Sequence, residues 1–219
     1  MISVVPTILV STTAELEKRV AAIAPHFLKA QLDVLNNTSV TGETFADPAA
    51  LAKIRGVIEF EIDLMVDTAT YDLEQWNLPW VYAIIVHVES TLEVLKTVKL
   101  IQSWGKQAIL AYNPETKNET IEPFIKSVDG IMAMDITPGK SGNPFRPEVL
   151  DKLKKLHAKY PKLLISVDGG VTNETLRPLL DVGATHFAVG SYLANNLVEE
   201  HLLDLLGIIE VYEARQGSK

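Results

Sequence analysis

The chain has 219 residues, of which 47% are hydrophobic and 22% are charged, a composition that supplies a globular protein with a full apolar core. The formal net charge of −8 argues against nucleic acid as a partner, although a local site can still bind a small anion. The absence of cysteine excludes disulfides, thiolate nucleophiles and cysteine-ligated metals, and it fits a cytoplasmic protein. The sequence shows neither a signal peptide nor an apolar run of membrane-spanning length, so we expect no membrane association.

Short apolar segments rich in Val, Ile and Leu recur along the chain. Nearly continuous apolar runs of this kind are typical of parallel strands buried on both faces. The sequence predicts eight such strands, at Val4–Val10, Gln31–Leu35, Phe60–Val66, Val81–Val88, Ala108–Tyr112, Gly130–Ile136, Leu163–Val167 and Phe187–Val189.

The segments between these strands carry apolar residues at helical spacing. The predicted helices are Thr13–Ala24, Ser90–Trp104, Arg146–Tyr160, Thr172–Val182 and Val198–Ala214, with two short, weak ones at Ala49–Ile54 and Ala69–Asn77. Eight alternating β–α units within this length predict an α/β fold, a single (β/α)8 TIM barrel forming one domain over residues 1–219. The sequence contains neither the dinucleotide-binding glycine motif nor a P-loop.

Polar residues occur near the carboxyl ends of the predicted strands, where barrel enzymes carry their chemistry. Gln31 and Asp33 alternate on strand two, and Glu61 and Asp63 alternate on strand three, so each pair points into the barrel mouth. Asp168 ends strand seven. Each carboxylate alone is equally well explained by a structural partner. Together Asp33, Asp63 and Asp168 would repel one another, which favours a divalent metal site or an acid/base pair.

Small residues follow strands six, seven and eight. They are Gly139 and Gly142, then Gly169 and Gly170, then Gly190 with Ser191. Backbone amides exposed by small residues at helix N-termini bind phosphate, and barrels often hold a phosphate after strands seven and eight. Tight turns that require glycine are the structural alternative. Their presence in three consecutive loops favours a small phosphorylated ligand.

Eight short motifs resemble the ribulose-phosphate 3-epimerase family, in the family's order and spacing over nearly the whole chain. They are Val5-Pro-Thr-Ile-Leu9, Gln31-Leu-Asp-Val-Leu35, Asp63-Leu-Met65, Val86-His-Val-Glu89, Asn113-Pro-Glu-Thr116, Met134-Asp-Ile-Thr-Pro-Gly139, Asp168-Gly-Gly-Val171 and Val189-Gly-Ser191. The resemblance implies a ribulose-phosphate-binding barrel that interconverts D-ribulose 5-phosphate and D-xylulose 5-phosphate in the pentose phosphate pathway. It also leaves a homo-oligomer open, because the family is usually oligomeric.

The resemblance also implies roles for individual residues. Asp33 and Asp168 match the two acids that exchange the C3 proton on opposite faces of the sugar, through an enediolate that a metal stabilises. Met65 and Met134 match methionines that line the family's site, although a core role fits them equally well. The substrate-binding set further includes Thr7, in place of a serine, and the loop Gly139, Lys140, Ser141, Gly142 and Asn143, which keeps most of the family's phosphate grip and adds a lysine.

Two histidine ligands of the family's metal are replaced in this chain. Gln31 and Asp63 stand where imidazoles are expected, which leaves an oxygen-only set of Gln31, Asp33, Asp63 and Asp168. Such a set suits Mg²⁺, Mn²⁺ or Ca²⁺, and we favour Mg²⁺ or Mn²⁺ over Zn²⁺ or Fe²⁺. A site without metal is the alternative, with Asp63 partly protonated or paired with a basic residue. Lys140 is the nearest candidate by loop position, unless it contacts phosphate or solvent instead.

Three hypotheses about function therefore remain at the level of sequence. The first is a sugar-phosphate 3-epimerase. The second is a related keto-sugar-phosphate decarboxylase or lyase, which strand three disfavours because it lacks the lysine of that relative. The third is a non-catalytic sugar-phosphate binder that has lost the metal site.

Overall fold

The computed structural model describes residues 2–40, 42–135, 145–194 and 198–217. Within these residues, eight parallel strands close into a barrel in which strands adjacent in sequence are adjacent in space. They are β1 (Ser3–Ile8), β2 (Lys29–Leu35), β3 (Glu59–Met65), β4 (Val81–His87), β5 (Gln107–Tyr112), β6 (Gly130–Met134), β7 (Leu164–Asp168) and β8 (His186–Val189). The predicted (β/α)8 barrel is therefore confirmed.

Helices connect the strands around the outside of the barrel. In the described part of the chain the α-helices are α1 (Thr13–Ile23), α2 (Pro48–Ile54), α3 (Val94–Ser103), α4 (Asn118–Ile121), α5 (Glu148–Lys159), α6 (Leu176–Asp181) and α7 (Val198–Gln216). Short 3-10 turns add Leu73–Trp76, Val88–Ser90, Glu122–Phe124 and Ser191–Leu193. None of the described helices combines the length and apolar character needed to cross a bilayer.

The predicted helix at Ala69–Asn77 was wrong, because only the 3-10 turn Leu73–Trp76 forms there. The Asp67 carboxylate accepts the amide of Ala69 at 2.9 Å and the Asp72 carboxylate accepts that of Glu74 at 3.0 Å. These two side chains satisfy backbone donors locally, and such bonds compete with a continuous helix.

Helix α6 begins four residues later than predicted, at Leu176 instead of Thr172. The Thr175 hydroxyl donates to the carbonyl of Gly170 at 2.7 Å and accepts the amide of Thr172 at 2.9 Å. These bonds hold residues 172–175 in a turn that ties the start of the helix to the end of β7.

The strands have two apolar faces, which explains their continuous hydrophobic runs. Outward residues such as Leu32, Ile62 and Val86 pack under the helices in the main core. Inward residues fill the barrel with a smaller apolar cluster, in which Ile85 and Met132 are buried. The remaining inward positions are polar, and those near the carboxyl ends of the strands form the candidate site.

Candidate functional site

Three buried carboxylates converge at the mouth of the barrel, as the sequence predicts. Asp33 and Asp63 lie opposite each other on the paired strands β2 and β3, and Asp168 ends β7. One oxygen from each side chain lies within 4.8 Å of the others. All three residues are buried, so their charges interact with little screening by solvent.

Gln31 links the two carboxylates that match the family's proton-transfer acids. Its Nε2 donates to Oδ1 of Asp33 and to Oδ2 of Asp168, both at 2.8 Å. The side chain is fully buried, and β2 places it one inward position before Asp33. One amide group therefore fixes the distance and orientation between two acids that are 135 residues apart in the sequence.

Both acids have raised pKa values. Burial, followed by the charges of Asp168 and Asp63, raises the pKa of Asp33 well above its ordinary value. Burial, followed by the charge of Asp63, raises the pKa of Asp168 to about 7. The hydrogen bonds from Gln31 oppose both shifts by stabilising the charged forms. Asp168 can therefore carry a proton close to neutral pH, and the shift of Asp33 has the same direction, which suits general acid–base catalysis.

Among the described residues, the basic partner of Asp63 is His87, at the end of β4; Lys140 lies outside the described residues. His87 Nε2 lies 2.9 Å from Asp63 Oδ1, and both side chains are buried. Burial lowers the pKa of His87, but the charge of Asp63 and the hydrogen bond to it together outweigh burial and raise that pKa. Sequence reasoning missed this pairing, although His87 ends its strand in the motif that resembles the family.

Glu61 does not join the three aspartates, although the sequence places it on the same face as Asp63. It lies nearer the amino ends of the strands, where it accepts the Tyr82 hydroxyl at 2.6 Å and contacts His186 Nε2 at 2.9 Å. His186 Nδ1 in turn contacts the Ser3 hydroxyl at 2.6 Å. Barrels use this end for stability, so we assign this chain of contacts a structural role.

The carboxylate cluster fits a divalent cation with oxygen ligands. Two fully buried oxygens in it, Gln31 Oε1 and Asp63 Oδ2, have no hydrogen-bond partner. Buried polar atoms are rarely left unpaired, and three carboxylates beside them carry the charge that attracts a hard cation. Turning the Gln31 amide over would exchange its nitrogen for its oxygen between Asp33 and Asp168. The same residue can therefore donate to the acids or serve as a ligand.

The candidate phosphate-binding residues that the structure describes lie beside the acids, at the ends of β7, β8 and β1. Gly169 and Gly170 have positive φ angles of 101° and 55°. A Cβ on Gly190 would lie 2.8 Å from the Thr7 hydroxyl, so these two residues are in close contact. Ser191 is exposed and begins the 3-10 turn that follows Gly190. Gly139, Lys140, Ser141, Gly142 and Asn143 lie outside the described residues.

Asp135 is a further buried carboxylate, at the end of predicted strand six, to which the sequence analysis assigned no role. Both of its side-chain oxygens lack a hydrogen-bond partner, and a Cβ on Gly170 would lie 2.9 Å from them. Burial and the nearby Asp168 raise the pKa of Asp135 to about 8. The close approach and the positive φ angle both explain why position 170 is a glycine.

The two candidate methionines are buried at the ends of their strands. Met134 pairs in register with Asp168 and belongs to the apolar cluster inside the barrel. Met65 pairs in register with Leu35 at the ends of β3 and β2. Met134 therefore lies at the level of Asp168, whereas Met65 lies two residues beyond Asp63 on β3.

Comparisons with known proteins agree with this geometry. The model of the ribulose-phosphate 3 epimerase family matches residues 3–194. The ribulose-phosphate 3-epimerase of Buchnera aphidicola subsp. Baizongia pistaciae is 31% identical over 174 residues, covering 75% of this chain and 76% of its own. The enzyme of the same name from Schizosaccharomyces pombe is 28% identical over 194 residues, covering 86% and 85%.

A solved structure, 3-keto-L-gulonate-6-phosphate decarboxylase from Vibrio cholerae, superimposes with a TM-score of 0.70 at 13% identity, covering 95% of this chain and 97% of its own. That likeness supports the barrel fold alone. The match of the family model over most of the chain, together with the relatives in sequence, shows that this chain belongs to the ribulose-phosphate 3-epimerase family.

Proposed function

We propose that this protein is a ketopentose-5-phosphate 3-epimerase that interconverts D-ribulose 5-phosphate and D-xylulose 5-phosphate. The proposal rests on the pair Asp33 and Asp168. The Gln31 amide donates a hydrogen bond to both carboxylates, and the pKa values of both acids are raised. Inversion at C3 requires one group to remove a proton from one face and another to supply a proton to the opposite face. Two separate acids, one on β2 and one at the end of β7, suit that requirement.

In this mechanism the acid that carries no proton abstracts the C3 proton, while the protonated acid delivers one to the other face. Thr7, Gly169, Gly170, Gly190 and Ser191 would hold the phosphate, together with the loop 139–143. Met65 and Met134 would cover the apolar surface of the sugar.

Asp33, Asp63, Asp168 and the Gln31 oxygen would hold a divalent cation. All of these ligands are oxygens, so we propose Mg²⁺ or Mn²⁺ rather than Zn²⁺ or Fe²⁺. When bound, the ion would supply positive charge that stabilises the enediolate oxygens. His87 keeps Asp63 oriented toward the cluster through the contact at 2.9 Å.

Exchange of the C3 proton tests the proposal directly. D-Ribulose 5-phosphate is incubated with the protein in deuterated water, with Mg²⁺ or Mn²⁺ and separately with chelator, and deuterium at C3 is followed by NMR. We expect Asp33→Asn and Asp168→Asn each to slow the exchange by about 10²- to 10⁴-fold, because each removes a proton-transfer group. The matched control is Asp151→Asn, which changes an exposed carboxylate on α5.

Absence of deuterium under every condition with the unsubstituted protein would contradict the epimerase. Binding of the sugar phosphate without exchange would instead select the alternative, a non-catalytic sugar-phosphate-binding barrel. We propose that residues 1–219 form a single domain and that the protein works in the cytoplasm.

A further inference from the structure

A cavity of about 290 Å³ opens beside His87, between the loops that follow β2, β3, β4 and β5. Its lining includes Asp67, His87, Glu89 and Asn113, together with hydroxyl side chains. A water molecule occupies about 30 Å³ of liquid volume, so the cavity is larger than a single hydroxyl group requires. No part of the sugar phosphate has so far been assigned to this cavity.

The cavity lies across the mouth from the candidate phosphate site. The strands follow one another around the closed barrel, so β3 and β4 stand opposite β7 and β8. His87 joins the two regions, because its Nε2 contacts Asp63 in the acid cluster while its side chain lines the cavity. A ketose phosphate with its phosphate near Gly169 and Gly170, and with C3 above the acids, would therefore direct its C1 end into this cavity.

Two carboxylates line the cavity, and its one basic side chain among the described residues, His87, is already paired with Asp63. Asp67 and Glu89 are acidic, and no lysine or arginine of the described chain lines the cavity. Local bonds fix both carboxylates in place. Asp67 accepts the amide of Ala69 at 2.9 Å, and Glu89 accepts the amide of Asn113 at 2.8 Å as well as the Thr116 hydroxyl.

Two fixed carboxylates repel an anionic group brought close to them, whereas hydroxyl groups can donate hydrogen bonds to their oxygens. We propose that this cavity is the subsite for the uncharged, hydroxylated C1 end of a ketose monophosphate. We further propose that Asp67 and Glu89 determine specificity by rejecting a second anionic group at C1. This inference rests on the proposed function, because the acids and the phosphate site set the orientation of the sugar.

Two sugars that differ only at C1 provide the test. Binding of D-ribulose 5-phosphate and of D-ribulose 1,5-bisphosphate to the full-length protein is measured by calorimetry, with the divalent ion in excess so that chelation does not deplete it. We expect the monophosphate to bind at least about tenfold more tightly, and the ratio to fall as ionic strength rises, because salt screens the repulsion.

The variant Asp67→Asn should reduce this ratio about fivefold, by strengthening bisphosphate binding more than it changes monophosphate binding. Glu89→Gln tests the second carboxylate and retains an oxygen that can accept the amide of Asn113. Glu59→Gln, at the exposed start of β3, removes the same charge at the opposite end of the barrel and should leave the ratio unchanged.

Equal affinities for the two sugars, or a ratio that neither cavity variant alters, would overturn the inference. A ratio altered equally by Glu59→Gln would also overturn it, because net charge alone would then account for the effect. If deuterium enters C3 but the two sugars bind equally well, the proposed epimerase function stands and only the C1 subsite is rejected. Failure of both sugars to bind would reject the proposed function and the subsite together.

Discussion

Gln31 shows how a single substitution can preserve the geometry of a site while changing its chemistry. The resemblance places an imidazole ligand at this position, and the structure places an amide that donates to two acids at once. An amide nitrogen partly replaces a cation, because it offers two hydrogens to carboxylates that would otherwise repel each other. Its unpaired oxygen remains available as a metal ligand. We therefore expect the residue at position 31 to influence which ion the site prefers.

Restoring an imidazole at this position should change the metal preference. We expect Gln31→His to raise the affinity for Zn²⁺ relative to Mn²⁺ by about tenfold or more, because imidazole suits Zn²⁺ better than a neutral amide oxygen does. Competition titrations with a metal-sensitive dye measure this ratio without any assay of activity.

Gln107→His serves as the control, since Gln107 is exposed at the start of β5, at the opposite end of the barrel. An unchanged preference in Gln31→His, or an equal change in the control, would show that position 31 is not a ligand.

At the scale of elements, register and capping position the site. The parallel register pairs Thr7 with Gln31 and Asp33 with Asp63, so the candidate side chains fall into layers across adjacent strands. The loop after β5 is fixed by Lys152 of α5, whose Nζ donates to the carbonyls of Asn113, Pro114 and Thr116. Helix α1, which follows β1 and its residue Thr7, begins with a capping box formed by Thr12 and Glu15.

The capping box of α1 predicts a measurable loss of stability. The Thr12 hydroxyl accepts the amide of Glu15 at 3.2 Å, and the Glu15 carboxylate accepts the amide of Thr12 at 3.1 Å. We expect Thr12→Ala to lower the free energy of unfolding by about 1 kcal/mol, because amides of the first turn lose a partner.

Urea denaturation monitored by circular dichroism measures this change. Thr13→Ala, one residue later, removes a hydroxyl that is not the cap and should stay within about 0.5 kcal/mol of the parent. Equal losses in the two variants would contradict the assignment of Thr12 as the cap.

At the scale of the whole molecule, closure of the sheet into a barrel brings the carboxylates of the site together. Strands β2, β3 and β7 carry one cluster aspartate each, and only the closed barrel brings these residues together in a buried mouth. Burial raises the pKa of Asp33 and of Asp168, so folding of the metal-free protein is coupled to proton uptake. The arrangement that prepares the acids for catalysis therefore reduces stability when they ionise.

The dependence of stability on pH follows from these shifts. Folding raises the pKa of Asp33 well above its ordinary value, that of Asp168 to about 7 and that of Asp135 to about 8. An acid whose pKa is raised in the folded state holds a proton that the unfolded chain has already lost. The free energy of unfolding should therefore fall as pH rises from about 4 to about 8. The raised pKa of His87 acts in the same direction above its unfolded value.

Urea titrations of the metal-free protein at a series of pH values measure this slope. Asp168→Asn removes one of the titrating groups and should flatten the decline between about pH 4 and pH 7. Stability that rises through this range in the chelator-treated protein would contradict the shifts.

The amino-acid sequence by itself determines the barrel, because eight continuous apolar runs alternating with amphipathic segments permit few other arrangements. It also identifies Asp33, Asp63 and Asp168, because period-two alternation and strand ends place carboxylates at the mouth without knowledge of side-chain contacts. The weak helix at Ala69–Asn77 was misjudged, because local carboxylate–amide bonds outweighed its propensity.

Only the tertiary structure decides which side chains become partners. The bond from Gln31 to Asp168 spans 137 positions, and the contact of His87 with Asp63 spans 24. Glu61 and Asp63 share one face of β3, yet Glu61 pairs with Tyr82 and His186 toward the other end of the barrel. Periodicity fixes the direction in which a side chain points, whereas its partner depends on strand register and closure of the sheet. The hydrogen-bond partners of the acids, and the acidic cavity beside them, therefore emerge only when the barrel closes.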